Sequence, residues 1–157
     1  MGDALAIALL SCRGFTDEDF ARFHPGGSLG KRMYLKVSDI YINNEKPKVK
    51  PDDNLKTVIM EISSRRLGAA AVVEGDQLLG IITDGDLRRM LEQGSDLNAL
   101  TAGDIMTKDP KSVEESELVV NALEIMRSHK ITQLPVMKDG AYVGVVHMHD
   151  ILKEGII

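Results

Sequence analysis

Gly80-Ile-Ile-Thr-Asp-Gly-Asp-Leu87 returns 64 residues later as Gly144-Val-Val-His-Met-His-Asp-Ile151. The same offset pairs Val49 with Val113, Val58 with Ala122, Ile62 with Met126, Leu67 with Ile131 and Val72 with Val136. A constant offset over this distance means one supersecondary unit built twice. Such a unit exposes an apolar face when alone and buries it against its copy. The chain is expected to form a pseudo-two-fold body with a pair of matching clefts. That points to binding before any catalytic residue is considered.

Outward from the repeated stretch, the first unit runs from about Val37 to Arg89. After Pro51, the pair Asp52-Asp53 can cap a helix on which Leu55, Val58, Ile59 and Ile62 share one face. Leu67-Gly68 ends it. Two apolar runs, Ala69–Val73 and Leu78–Ile82, flank the turn Gly75-Asp76 and read as a hairpin. A second helix covers Asp84–Leu91. The second unit, from about Gly103 to Lys153, keeps this order. Ser116 is the expected cap, and Val119, Ala122, Leu123 and Met126 face inward. Strands follow at Leu134–Met137 and Tyr142–Val146 around Asp139-Gly140, then a helix from Met148. The fold class is α/β (α+β), built from tandem β-α-β-β-α repeats over 36–92 and 93–157, with Glu92–Ala102 as the connection. Residues 1–35 stand outside the repeat. There Ala4–Leu10 reads as helical, Gly14 breaks it, and Thr16-Asp-Glu-Asp19 has the form of a capping box. The proline and three glycines of His24-Pro-Gly-Gly-Ser-Leu-Gly30 read as a loop.

Composition narrows the function classes. A chain of 157 residues fits one compact domain or two small ones sharing a core. The net charge of −5, without a basic cluster, disfavours nucleic-acid binding, which rests on neutralising phosphates. The single cysteine, Cys12, cannot form an internal disulfide. It reads as a small apolar residue and suits a cytoplasmic location. No apolar run approaches the roughly 18 residues of a membrane span, and the first residues lack the basic region of a signal peptide.

The chemistry lies at the repeated turn, Thr83-Asp-Gly-Asp86 in one unit and His147-Met-His-Asp150 in the other. Each sits where a strand ends and a helix begins. Unpaired N–H groups and partial positive charge at a helix start favour a phosphate, and the Thr83 hydroxyl can donate to it. Asp86 or Asp150, one helical turn on, can accept from the vicinal hydroxyls of a ribose. Apolar edges around Ala70–Val72 and Leu134–Val136 offer a sandwich for a flat base. The competing reading makes Thr83-x-x-Asp86 a capping box with no ligand at all. His147-x-His149 can hold a metal only if a third ligand converges; otherwise the pair are surface histidines or contact the phosphate or base of a nucleotide, which makes His147 a nucleotide-binding candidate beside Thr83, Asp86 and Asp150. Asp84-Gly-Asp86 lacks the twelfth-position glutamate of a calcium loop, since Ser95 stands there. His129-Lys130 reads as a solvated helix end, and Arg88-Arg89 as a solvated face, with an anion site as the alternative.

Gly-apolar-apolar-Thr-x-x-Asp at 80–86, with its weaker copy at 144–150, resembles the motif of the CBS domain, and the two units look like a CBS pair. That resemblance implies binding of an adenine nucleotide or related ligand through Thr83, Asp86 and Asp150. His147 stands where the family usually has a hydroxyl. A narrower resemblance joins five segments: Gly2–Leu10, Arg13–Phe20, His24–Gly30, Thr83–Arg89 and His147–Asp150. Together they are similar to the C-terminal half of arabinose 5-phosphate isomerases of the KpsF/GutQ type. Those enzymes interconvert ribulose 5-phosphate and arabinose 5-phosphate on the route to the sugar Kdo of lipopolysaccharide and capsules. The resemblance implies that residues 1–35 are the tail of a sugar isomerase (SIS) domain. It also implies that His24 moves protons in the complete enzyme, and that this chain alone is inactive. No cofactor is required. AMP, ATP or CMP-Kdo is the expected regulatory ligand, with a homodimer through the CBS pairs and a tetramer of the full enzyme. The alternative is a ligand-free module that drives oligomerisation.

Overall fold

The computed structural model describes residues 14, 16, 19, 27–92, 94 and 99–156, without the side chains of Ser28 and Leu29. The expectations for Ala4–Leu10, Cys12 and His24 lie outside these residues. The first described helix, α1 (Ser28–Tyr34), begins inside the stretch read as a loop. Gly27, which precedes it, has extended backbone, at φ −76° and ψ 163°. Gly30 is buried within the helix. Lys31 ties α1 to the C-terminus, its Nζ 2.8 Å from Glu154 Oε2.

From there the order is α2 (Val37–Tyr41), β1 (Lys48–Val49), α3 (Leu55–Arg65), β2 (Ala69–Glu74), β3 (Gln77–Thr83) and α4 (Asp84–Glu92). The second half repeats it with α5 (Ala102–Ile105), β4 (Thr107–Lys108), β5 (Val113–Glu114), α6 (Val119–His129), β6 (Gln133–Lys138), β7 (Ala141–His147) and α7 (Met148–Lys153). The predicted β-α-β-β-α units are present, each preceded by a short helical turn that sequence reading did not separate.

β1 runs parallel to β2, and β2 and β3 form the hairpin; in the second half β5, β6 and β7 repeat this arrangement, while β4 has no counterpart among the described residues of the first half. The repeat extends to irregularities. A bulge lies between Val72 and Val73 and again between Val136 and Met137. Arg66 and Lys130 both close a helix in the left-handed conformation, at φ 57° and 54°. The symmetry breaks at one edge. β4 pairs with β3 to give a four-stranded sheet, whereas the second sheet has three strands.

Two predicted caps are replaced. Asn54, not Asp52-Asp53, caps α3, its Oδ1 accepting from the Thr57 N–H at 2.9 Å. Asp53 instead accepts from the Lys50 N–H. Ser116 does not cap α6, which begins after Leu118. Glu117 accepts from the Leu118 N–H there, and Leu118 bridges to Lys36.

The leading helical turns exchange partners. Val37 and Ile40 of α2 are buried among Val113, Val119, Leu123 and Val136 of the second half. Ala102 of α5 is buried among Val49, Val58 and Ile62 of the first half. Backbone bonds fix both exchanges, from Val37 N–H to Glu117 O and from Ala102 N–H to Asp53 O. A third cluster, Ala71, Val73, Tyr142 and Val145, joins the two sheets. The Tyr142 hydroxyl donates to Pro47 O at 2.8 Å, and burial pushes its ionisation far above the ordinary range.

Candidate functional site

A cleft of about 620 Å³ opens between the start of α4 and the α6–β6 junction of the other half. Thr83, Gly85, Asp86 and Arg89 form one wall. Lys130, Ile131, Thr132 and Gln133 form the opposite wall, and Thr107, Asp109, Pro110 and Lys111 cross the mouth. Two bonds hold the walls in register: Asp84 N–H to Gly68 O at 3.0 Å, and Gln133 Nε2 to Leu67 O at 3.2 Å.

Thr83 and Asp86 are engaged with each other. Asp86 Oδ2 accepts from the Thr83 N–H at 2.8 Å and from its hydroxyl at 2.7 Å. Thr83 Oγ1 accepts from the Asp86 N–H at 3.3 Å. Arg89 closes the set by an ion pair with Asp86 Oδ1. This is a complete capping box. Thr101 and Asp104 make the same bonds at 2.9 and 2.7 Å, and neither residue lines this cleft. The bonding at Thr83 is therefore no mark of a ligand by itself. The cleft, and the cations gathered on it, set this turn apart.

Several expectations change here. Of the two stretches expected to sandwich a base, Ala70, Ala71, Val72, Leu134 and Val136 are wholly buried, and Pro135 is the member that lines the cleft. The apolar surfaces that do reach the cleft are Ile81, Pro110, Ile131 and Pro135. Arg89, His129 and Lys130, read as solvated faces, line it as well. Lys111 and Gln133 were not singled out. Nothing local marks them, because the contact between halves brings them to Thr83. Only the left-handed turn after α6, which aims Lys130 at the cleft, leaves a trace in the repeat.

His147 and Asp150 do not line this cleft. His147 caps α7, its Nδ1 accepting from the His149 N–H at 2.9 Å. Burial holds its basicity below the ordinary 6.5, against the pull of nearby Asp150. The rings of His147 and His149 meet edge-to-face at 6.5 Å. Among the described residues no third ligand joins them to form a metal-holding group. None of the described helices is long and apolar enough to cross a membrane.

The chain is 46% identical over its full length to arabinose 5-phosphate isomerase KdsD of Yersinia pestis, covering 48% of that protein. It is 47% identical, over 98% of its length, to the same-named protein of Francisella tularensis, covering 47% of it. The chain thus spans about half the length of these relatives. Among solved structures, a CBS domain protein from Pyrobaculum aerophilum complexed with AMP matches at TM-score 0.69 and 25% identity, over 76% of this chain and 97% of that one. The CBS domain pattern matches residues 37–93 and 102–156. With two such copies, the chain belongs to the CBS-domain family.

Proposed function

We propose that the chain is the regulatory nucleotide-binding pair of a cytoplasmic arabinose 5-phosphate isomerase. The cleft at Thr83 carries this reading, because it gathers a hydroxyl, a carboxylate and three cationic side chains, Arg89, Lys111 and Lys130, beside one helix start. In the proposed mechanism a phosphate takes over the Thr83 hydroxyl and Arg89. Asp86 is then free to accept from a ribose diol. The bonds given up, from the Thr83 hydroxyl and Arg89 to the Asp86 carboxylate, are each worth about 1.5–3 kcal/mol, and the phosphate and the ribose diol replace them in kind. AMP, ATP and CMP-Kdo all present a phosphate and a ribose. A ligand with different affinities for two arrangements of the halves would bias an attached catalytic domain. In the complete enzyme His24 carries protons. The chain alone is expected to leave arabinose 5-phosphate unchanged, and measurable conversion by it would count against this assignment.

The repeated capping box at Thr101 favours a second reading, in which Thr83 and Asp86 only cap a helix and the pair serves oligomerisation. Gly85→Leu separates the two. Gly85 lines the cleft, and a Cβ there lies 3.5 Å from Thr83 Oγ1, an ordinary contact. The larger side chain intrudes on the ligand's place beside Thr83 and Arg89, while its Cβ makes only ordinary contacts of 3.5 and 3.7 Å with them and spares the cap. Thermal melting is measured with AMP, ATP, CMP and CMP-Kdo. Ligand at 100 times its dissociation constant stabilises by about 2.7 kcal/mol. A midpoint shift in the native chain that disappears in Gly85→Leu, at undiminished intrinsic stability, supports the sensor. No shift with any nucleotide supports the scaffold.

A further inference from the structure

The two halves part company where repeat symmetry would put a second ligand. In the first half the backbone of β4 covers the edge of β3, pairing Gly80 with Lys108 and Ile81 with Thr107. The residues 64 positions before Thr107 and Lys108 are Asn43 and Asn44, and they form no strand. The side chain of Asn44 takes that place. Its Nδ2 donates to Val145 O at 3.1 Å and to Asp150 Oδ2 at 3.0 Å. Lys153 Nζ stands 3.4 Å from the other carboxylate oxygen, Oδ1. His147 Nδ1 is already used on the His149 N–H.

Asp86 is held differently. Its partners, Thr83 and Arg89, both belong to its own turn, and the Arg89 side chain is 66% exposed, free to swing toward a ligand. Asp150 is pinned by a residue 106 positions away on a separate segment. Releasing it means breaking a bond to a segment distant in the chain. The nearby Tyr41 ring closes the same edge, since a Cβ on Gly144 would meet it at 2.7 Å.

We infer that Asn44 is a built-in occupant of the second position, holding the Asp150 carboxylate that a ribose would need, so that each chain takes one nucleotide, at Thr83. The inference rests on the nucleotide-binding reading above and adds its stoichiometry and the residue that sets it. Calorimetric titration of the 157-residue chain with AMP and with CMP tests it. One equivalent is expected for the native chain and none for Thr83→Val. Two are expected for Asn44→Ala combined with His147→Thr, which frees Asp150 and restores the hydroxyl. Two equivalents in the native chain overturn the inference. So does residual binding in Thr83→Val, or a single equivalent in a double variant that still melts cooperatively. If the double variant does not fold, the Thr83→Val titration decides. Binding by no form overturns the nucleotide reading itself, and the inference falls with it.

Discussion

Aspartate is used repeatedly in this chain to receive the backbone N–H three residues before it. Thr16, Lys36, Lys50, Thr83 and Thr101 each donate to Asp19, Asp39, Asp53, Asp86 and Asp104 in turn. A pattern used this often is a folding device, and the instance at Thr83 and Asp86 is one that lines a cleft. The glycine that opens the repeated stretch is equally structural. A Cβ on Gly80 would lie 2.8 Å from the backbone oxygen of Thr107, so Gly80→Ala forces β4 away from β3. The expected cost is about 1–3 kcal/mol, the usual range for overpacking, and chemical denaturation measures it. His147 adds a pH dependence. Its folded form disfavours the proton because of partial burial, and charging would also end the Nδ1 cap. The unfolded chain then binds more protons below about pH 6.5, so stability falls as pH drops through that value. His147→Asn keeps an acceptor without titrating. Its melting temperature is expected to vary less between about pH 7.5 and 5.5 than that of the native chain.

At the scale of elements, the two short turns α2 and α5 hold the halves together. Neither has the length to persist alone in water. Each survives because its apolar residues enter the opposite core. Ile40 belongs to the first half in sequence and to the second in space. Ile40→Ala is therefore expected to cost about 2–5 kcal/mol. It is also expected to speed amide exchange in β6 and β7 before β2 and β3. Equal loss of protection in both sheets would count against this assignment. The capping pattern Thr101-x-x-Asp104 announces α5 in the sequence, yet no local pattern says which core it joins. The same limit explains the misplaced cap at Ser116. The start of α6 is decided by the bridge from Lys36, which lies in the other half of the chain.

For the whole molecule, the exchange predicts where the chain can be cut. A fragment of residues 36–92 follows the sequence repeat but lacks Ala102, Ile105 and Met106, which pack on the first core. A fragment of 46–110 keeps them, together with β4. Circular dichroism melts are expected to show a cooperative transition for 46–110 and none for 36–92. The opposite order would mean that the exchanged turns are accessory. The sequence by itself determined the duplication, the order of strands and helices in each unit, and the turn bearing Thr83 and Asp86. Those features rest on periodicity and short-range capping, which act within a few residues. Only the tertiary structure decided that α2 and α5 trade cores, that Ala70–Val72 are interior, and that Lys111, Lys130 and Gln133 face Thr83. It also decided that His147 and Asp150 stand apart from that cleft. The physical reason is that two copies with almost the same local code differ in what packs against them. β4 covers one edge and the side chain of Asn44 the other, through contacts between residues far apart in the chain.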